Sequence, residues 1–156
     1  MALNRVWKST LPMAIAIGAI DQLSKYLLLE WVDIDTRMRI ILTPFFQLVM
    51  VWNTGISFGM LSHPGTYVPW FLIAVAVGIS GVVWQLARRS QSRVERLAYG
   101  AIIGGAMGNV VDRVCFGAVA DFFSFHLGDW YYPAFNVADA AIFLGVATLV
   151  WLSIRK

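Results

Sequence analysis

Residues 68–87 read VPWFLIAVAVGISGVVWQLA and contain no charged side chain. A helix needs about 20 apolar residues to cross the hydrocarbon core of a bilayer, where it satisfies its backbone hydrogen bonds internally. Three further segments have similar length and apolarity, at about 10–29, 96–115 and 135–153. The sequence therefore predicts an all-α membrane bundle of four transmembrane helices.

The composition agrees with this class of protein. Of the 156 residues, 59% are hydrophobic and 13% are charged, whereas a soluble domain is about half apolar and about a quarter charged. The length suits one domain covering residues 1–156. The single Cys115 excludes an internal disulfide and a cysteine-rich metal site, and His63 and His126 form no ligand motif. We expect Cys115 to be a packing residue and both histidines to lie in loops. We expect no nucleic-acid partner.

The positions of lysine and arginine predict the orientation. Eight of them precede the first span, connect the second to the third, or end the chain: Arg5, Lys8, Arg88, Arg89, Arg93, Arg96, Arg155 and Lys156. By the positive-inside rule that side is the cytoplasm, so both termini lie inside. Residues 116–133 contain no lysine or arginine and lie outside, and Arg37 and Arg39 in the outer loop are a mild exception. Asp21 to Lys25 follow the first apolar stretch where a cleavage site would need small residues, which indicates a retained span.

The loop at about 30–67 is long enough to fold by itself. Residues 33–40, DIDTRMRI, alternate polar and apolar side chains, the period of a half-buried strand. Residues 45–52, FFQLVMVW, are aromatic and β-branched, and Pro44 separates the two segments. The pattern predicts a small β-rich platform on the outer membrane surface, between the first and second helices.

Asp21 and Lys25 are the first ionisable residues inside a span. They are four residues apart with the acid first, so they can pair on one helix face. An ionised side chain at the bilayer centre costs at least about 2.5–3.5 kcal/mol on insertion scales, so such residues normally face the bundle interior. We favour a structural pair here over a catalytic role.

The third span carries two rows of residues spaced four apart. One row is Gly100, Gly104, Gly108 and Asp112, and the adjoining row is Ala101, Gly105, Asn109 and Arg113. Small residues allow close helix packing in lipid. The same face ends in polar groups at the outer surface, which predicts a polar site there. Arg113 either contacts a substrate or carboxylate, or pairs structurally with Asp112, and the sequence does not choose between them.

Asp121 and Asp139 lie on opposite sides of the outer segment between the third and fourth spans. The chain leaves the membrane and re-enters it from the same side, so topology places both carboxylates at one interface. Asn136 shares a helical face with Asp139 because the two are three residues apart. Asn53, in the outer loop, is either a turn residue or an amide that binds backbone or orients a carboxylate.

Two carboxylates in a confined site cannot both ionise easily, so they share a proton. Such a pair offers one base for water and one acid for a carbonyl, which is the chemistry of aspartic peptide hydrolysis. Acidic pairs also serve in proton relays and cation pathways. A small transporter or proton-coupled channel, and a non-catalytic assembly subunit that binds partner helices through its glycines, therefore stay open as alternatives.

Four stretches together resemble lipoprotein signal peptidase, the type II signal peptidase of bacteria. They are DQLSKYL at 21–27, WNTGISFG at 52–59, GGAMGNVVDRVCFGAVADFF at 104–123 and FNVADA at 135–140. Each is weak alone, but the set is specific and samples nearly the whole chain. Small departures occur at neighbours of the polar residues: Ile56, Ser57, Ala120 and Ala140.

The resemblance implies an aspartic endopeptidase of the bacterial inner membrane, with its active site at the outer face and without metal or cofactor. It implies a monomer in membrane lipid that cuts diacylglyceryl-modified prolipoproteins on the N-terminal side of the lipidated cysteine and is inhibited by globomycin. Asp121 and Asp139 match the family's catalytic dyad. The positions that match polar residues lining the site are Asn53, Asn109, Asp112, Arg113 and Asn136, and Asp21 with Lys25 match a supporting first-helix motif.

Overall fold

Four long helices and one small antiparallel sheet make up the part of the chain that the computed structural model describes, residues 2–55 and 67–155. The long helices are α1 (Ala2–Tyr26), α3 (Val68–Arg89), α4 (Arg93–Phe116) and α5 (Val137–Ile154). A π-helical turn, Leu27–Trp31, continues α1, and a short helix α2 (Ile34–Arg37) follows it. The strands are β1 (Arg39–Thr43), β2 (Phe46–Asn53), β3 (Val119–Leu127) and β4 (Trp130–Tyr131).

Local sequence sets the ends of α4. Ser92 is the N-cap, and its hydroxyl accepts a hydrogen bond from the backbone N–H of Glu95 at 3.3 Å. At the other end Gly117 adopts the left-handed conformation, with φ of 72°, which glycine enters without a steric penalty. Helix α4 therefore stops just before the segment that carries Asp121.

The glycines of α4 let α1 and α5 approach its backbone. A β-carbon at Gly104 would lie 2.5 Å from the carbonyl oxygen of Ala14 in α1, and one at Gly100 would lie 2.5 Å from that of Thr10. A β-carbon at Gly105 would collide with the carbonyl oxygen of Ala138 in α5. The close packing expected from the small-residue rows is thus present, and it places α4 between α1 and α5.

Burial is inverted relative to a soluble protein. The carboxylate residue Asp21 is 0% exposed, while Phe143 on α5 is 71% exposed. Large apolar side chains cover the outside of the helices because lipid, rather than water, is the solvent they suit. Among the described residues, α3 and α5 are by themselves long and apolar enough to cross a membrane.

The sheet joins two segments that are distant in sequence. Its strand order is β1-β2-β3-β4, and neighbouring strands are antiparallel. Strands β1 and β2 come from the loop after α1, as predicted, but β3 and β4 come from the connection between α4 and α5. The platform therefore does not lie only between the first two helices, and β3 brings Asp121 into it.

The strand predicted at residues 33–40 does not form over that length. Residues Ile34–Arg37 are helical, and Asp33 and Met38 on either side have positive φ values of 53° and 59°. This turn buries Ile34 completely, which a strand on the surface of the sheet would not do. The alternating pattern was misleading because one buried apolar residue can be supplied by a single helical turn.

Two smaller expectations also differ. Cys115, expected to be a packing residue, is exposed. His126, expected in a loop, lies in β3 and stacks on Tyr131 with ring centroids 5.4 Å apart. His63 lies outside the described residues.

Candidate active site

Asp121 lies in β3 and is held inside the molecule. Its residue is 2% exposed, and it pairs across the sheet with Val51 of β2. Helix α4 ends at Gly117 and the strand begins at Val119, so the sheet turns the aspartate toward the helices within a few residues of the helix end.

Asp139 lies in the first turn of α5 and takes part in a reciprocal cap. The backbone N–H of Asp139 donates to Oδ1 of Asn136 at 2.9 Å, and the backbone N–H of Asn136 donates to Oδ2 of Asp139 at 3.2 Å. This arrangement, a capping box, satisfies two N–H groups that a helix start leaves free. It also fixes the rotamer of the Asp139 carboxylate.

Asn136 contacts both carboxylates. Its Nδ2 donates to Oδ1 of Asp121 at 2.8 Å, while its backbone N–H binds Asp139. The side chain is fully buried and also donates to the Oδ1 of Asn109 at 3.1 Å and the carbonyl oxygen of Ala120 at 3.3 Å. One residue therefore brings the strand carboxylate and the helix carboxylate to the same place.

The remaining carboxylate oxygens are held by two further amides. Nδ2 of Asn53 donates to Oδ2 of Asp121 at 3.1 Å, and Nδ2 of Asn109 donates to Oδ1 of Asp139 at 2.8 Å. Among the described residues, no ion pair reaches either carboxylate. The two groups are thus oriented by neutral donors, which fix their position without neutralising their charge.

The environment favours a proton on Asp121. Burial, and after it the nearby charge of Asp139, raise the pKa of Asp121 from its ordinary value of 3.8 to about 7. The hydrogen bonds from Asn53 and Asn136 and the charge of Lys25 oppose this rise in the pKa. At neutral pH the pair can therefore hold one proton and offer an acid and a base together.

Lys25 joins Asp21 and Asp112 in a buried cluster beside the dyad. Its Nζ lies 2.7 Å from Oδ2 of Asp21 and 2.8 Å from Oδ2 of Asp112. The predicted pairing of Asp21 with Lys25 is present, and both residues are buried. Asp112 pairs with Lys25 rather than with Arg113, so the structural Asp112–Arg113 pair considered from the sequence is wrong.

The comparison with known families agrees with the motifs. A sequence model of the family described as signal peptidase (SPase) II matches residues 13–155.

The chain belongs to the signal peptidase II family.

Curated relatives of this signal peptidase II are proteins named lipoprotein signal peptidase. The one from Methylobacterium sp. (strain 4-46) is 43% identical over 149 residues, which cover 93% of this chain and 90% of the relative. The one from Azoarcus sp. (strain BH72) is 44% identical over 148 residues, covering 93% of this chain and 82% of the relative. The similarity thus extends over nearly the whole chain.

Solved structures with the same fold are described as bacterial membrane enzymes. One, determined in meso at 2.3 Å resolution, superposes with a TM-score of 0.80 at 23% identity and covers 94% of this chain and 87% of that chain. Another, at 1.9 Å resolution, gives a TM-score of 0.78 at 23% identity and covers 94% of this chain and 93% of that chain. The helices and the small sheet therefore have the same fold as these two proteins.

Arg113 of this signal peptidase II holds the start of the outer loop. Its Nη2 donates to the carbonyl oxygen of Gly55 at 3.1 Å, and the backbone N–H of Gly55 donates to Oδ1 of Asn53 at 3.1 Å. Its Nε is buried and has no hydrogen-bond partner among the described residues. The next residues of this loop, 56–66, lie outside those described.

An apolar cavity opens beside Asp139. Its volume is about 550 Å³, and it lies between the β3–β4 hairpin and α5. Aromatic and aliphatic side chains form most of its wall, among them Trp130, Phe135 and Phe143, and Asp139 is its charged residue. The Asp139 carboxylate is therefore reached from an apolar space.

Gln22 is a polar residue of the site that the sequence analysis missed. Its Nε2 donates to Oδ1 of Asp112 at 2.8 Å and lies 3.2 Å from both Oδ2 of Asp21 and the carbonyl oxygen of Gly108. Its signal was its place inside the DQLSK stretch, next to a charged residue and facing α4. A glutamine beside a helix end is otherwise common, so the stretch alone did not single it out.

Proposed function

We propose that this signal peptidase II removes signal peptides from diacylglyceryl-modified prolipoproteins by aspartic hydrolysis. Membership of the family and the relatives named lipoprotein signal peptidase support a prolipoprotein as the substrate. The motif resemblance implies the diacylglyceryl group and cleavage on the N-terminal side of the modified cysteine. The observation that carries the proposal is the joint contact of Asn136 with Asp121 and Asp139.

In the proposed reaction the dyad works with one shared proton. The ionised carboxylate takes a proton from water, and the water oxygen attacks the carbonyl carbon of the scissile peptide bond. The protonated carboxyl gives its proton to the carbonyl oxygen, which becomes a hydroxyl. When the tetrahedral intermediate collapses, the C–N bond breaks and the leaving nitrogen receives the proton that the dyad took from water. One hydroxyl of the intermediate returns its proton to the other carboxylate, which restores the dyad with one shared proton. The raised pKa of Asp121 supports Asp121 as the group that is protonated at the start.

The neighbouring polar residues prepare this geometry. Asn53, Asn109 and Asn136 bind carboxylate oxygens and hold them before substrate arrives, so little reorganisation is needed in the transition state. The Nε–H of Arg113, which has no partner among residues 2–55 and 67–155, lies at the same end of α4 and suits a backbone carbonyl of the substrate. The buried cluster of Asp21, Lys25 and Asp112 supports the site by binding the backbone N–H groups of Ala120 and Ala138.

We propose that all four long helices span the bacterial inner membrane, with both termini in the cytoplasm. Helices α1 and α4 carry more charge than α3 and α5, but their polar residues Asp21, Lys25 and Asp112 are buried against one another instead of facing lipid. The dyad then lies at the outer face, where a lipid-anchored cleavage site is within reach. A transport role is less well supported, because Asp121 lies in a strand at the end of the bundle and not at its middle.

The partners proposed for the chain follow from the same resemblance. The enzyme works as a monomer in membrane lipid and is inhibited by globomycin. The apolar cavity beside Asp139 supports an apolar ligand close to the dyad.

The proposal is tested by cleavage of a diacylglyceryl-modified prolipopeptide by the purified chain in detergent. Wild-type protein should cleave it, and Asp121→Asn and Asp139→Asn should each lower kcat by at least about 10²-fold, because each removes one partner of the acid–base pair. Product is measured by mass spectrometry, which also reports the bond that is cut.

Asp129→Asn is the matched control, since Asp129 is an exposed aspartate in the turn between β3 and β4. It should cleave at the wild-type rate. Wild-type activity in either dyad variant would exclude the mechanism, and cleavage at another bond would exclude the assigned substrate site.

A further inference from the structure

We propose that Lys25 is a positioning residue that sets the two dyad aspartates relative to each other. Its ammonium group binds the carboxylates of Asp21 and Asp112. The Asp112 carboxylate accepts a hydrogen bond from the backbone N–H of Ala120, which precedes Asp121. The Asp21 carboxylate accepts one from the backbone N–H of Ala138, which precedes Asp139. The inference rests on the proposed dyad mechanism and extends the supporting role expected for the first helix.

One arm of this connection runs to Asp121. The backbone N–H of Ala120 donates to Oδ2 of Asp112 at 3.1 Å, and that same oxygen lies 2.8 Å from Nζ of Lys25. Ala120 and Asp112 are both buried. The start of β3 is therefore fastened to α4 and α1 one residue before the catalytic aspartate.

The other arm runs to Asp139. The backbone N–H of Ala138 donates to Oδ1 of Asp21 at 2.9 Å, and Oδ2 of Asp21 lies 2.7 Å from Nζ of Lys25. Ala138 is in the first turn of α5, whose N–H groups lack partners within the helix and favour a negative charge. The start of α5 is therefore fastened to α1 one residue before the second catalytic aspartate.

The backbone hydrogen bonds from Ala120 and Ala138 replace water around the buried carboxylates of the cluster. The cluster contains two carboxylates and one ammonium group in a place almost without solvent exposure. Burying such charges is costly unless further hydrogen bonds satisfy them, and a buried ion pair is weak evidence for stability. Besides Lys25, the donors to the carboxylates are Gln22 and the N–H groups of Ala120 and Ala138. The dyad segments and the ion cluster thus fix each other.

Gly108 lets this cluster form. A β-carbon at Gly108 would lie 2.6 Å from Oδ2 of Asp21, the oxygen that binds Lys25. The absence of a side chain at Gly108 therefore leaves room for the Asp21 carboxylate, whereas the other glycines of this row allow close packing of the helices. A merely structural anchor between α1 and α4 would not need to reach both catalytic segments.

Lys25 also acts on the dyad through its charge. Charged groups face Asp121 from three helices: Lys25 on α1, Arg113 on α4 and Asp139 on α5. The charge of Lys25 lowers the pKa of Asp121, against the larger effect of burial, which raises it. Loss of that charge should therefore raise the pH at which activity declines on the alkaline side of the pH profile. Displacement of the two aspartates from each other should lower kcat.

The test compares full-length wild type with Lys25→Met on the diacylglyceryl-modified prolipopeptide, at pH values from 5 to about 9. We expect kcat to fall by about 10²-fold, as for a displacement of about 1 Å at a catalytic group, with KM changed much less. The decline on the alkaline side should also move to higher pH. Lys25→Arg keeps the positive charge. Its activity should therefore decline at the same alkaline pH as that of wild type, and its kcat should lie between those of Lys25→Met and wild type.

Thr10→Val is the matched control. Thr10 is also fully buried, and its hydroxyl joins α1 to α4 by donating to the carbonyl oxygen of Arg96 at 3.1 Å. It lies about 22 Å from Lys25 along α1. It should lower the unfolding temperature but leave kcat and the pH profile of folded enzyme at wild-type values.

The outcomes separate the inference from the proposed function. If wild type does not cleave the lipopeptide, the proposed function fails. If wild type cleaves it and folded Lys25→Met keeps the wild-type kcat and pH profile, Lys25 has no positioning role. If Lys25→Met does not fold, Asp112→Asn replaces it, since asparagine still accepts from Ala120 but loses the ion pair. An unchanged kcat in that variant would overturn the inference, and a loss of about 10-fold or more with KM retained would support it.

Discussion

At the scale of single residues, the site depends on how neutral amides surround two acids. Asp121 is buried and receives hydrogen bonds from Asn53 and Asn136, but no cation pairs with it among the described residues. Burial therefore dominates and raises its pKa to about 7. An arginine or lysine in direct contact would have kept the carboxylate ionised, and the pair would have lost its shared proton.

This raised pKa predicts how stability changes with pH. Folded Asp121 keeps a proton that the unfolded chain releases near its ordinary value of 3.8, so its contribution to stability is full below that value. The contribution is lost as pH rises to about 7. Thermal unfolding in detergent should therefore show a midpoint that declines over this window in wild type. Asp121→Asn, which has no titrating group there, should show a smaller decline, and an equal decline in both proteins would contradict the assignment.

The sequence was sufficient to nominate most residues of the site. Asp121, Asp139, Asn109 and Asn136 stood out because polar groups near apolar spans are rare and costly. Their contacts were not predictable in the same way. That Asn136 binds both carboxylates depends on the angle at which β3 meets α5, which no local pattern records.

At the scale of elements, helix α4 is the part that organises the others. Its glycines face α1 and α5, and its polar outer end faces the sheet. The row of small residues predicted this packing because its four-residue spacing follows one face of a helix. Which neighbour each glycine meets was decided only by the packing of the bundle.

Gly104→Ala tests this packing. Its β-carbon would lie 2.5 Å from the backbone of Ala14, which cannot move aside as a flexible side chain can. Overpacking costs about 1–3 kcal/mol, against a gain in helix propensity of about 1 kcal/mol or less. We expect a lower unfolding temperature, measured in detergent.

Gly81→Ala on α3 is the control, because nothing lies within 4 Å of the added β-carbon. It should leave the unfolding temperature unchanged or raise it slightly. Equal behaviour of the two variants would argue against close packing at Gly104.

The sheet shows where element prediction failed. Strand β2 was recognisable from its aromatic and β-branched run, whereas β3 was predicted only as part of the outer segment between two spans. Its alternating phenylalanines and the Gly128 turn, with φ of 59°, were the available strand and hairpin signals. Pairing of β3 with β2 is a long-range contact, so the local signals alone did not place it in the sheet.

At the scale of the whole molecule, charge and apolarity divide the chain by side. Eight of the twelve lysines and arginines lie near the chain ends, in the last turn of α3 or in the first turn of α4. The sheet, with Asp121 and the start of α5, lies at the other end of the bundle. By the positive-inside rule the dyad end faces away from the cytoplasm. This orientation is a prediction that thiol labelling can test.

Because Cys115 is the single cysteine, Cys115→Ser gives a cysteine-free background. In that background, Asp129→Cys in the β3–β4 turn should react with a membrane-impermeant maleimide on intact spheroplasts. Gln91→Cys, between α3 and α4, should react only after the membrane is permeabilised. Labelling is read by gel shift or mass spectrometry, and the reverse pattern would invert the proposed topology.

The sequence by itself determined the class of protein, the four apolar segments and the acids of the candidate site. These properties depend on composition, on helical spacing or on residues a few positions apart. Only the tertiary structure decided that Lys25, through Asp21 and Asp112, reaches the residues before both dyad aspartates. The Ala138–Asp21 contact joins residues 117 positions apart, and such a partner is chosen by how helices pack rather than by any local pattern.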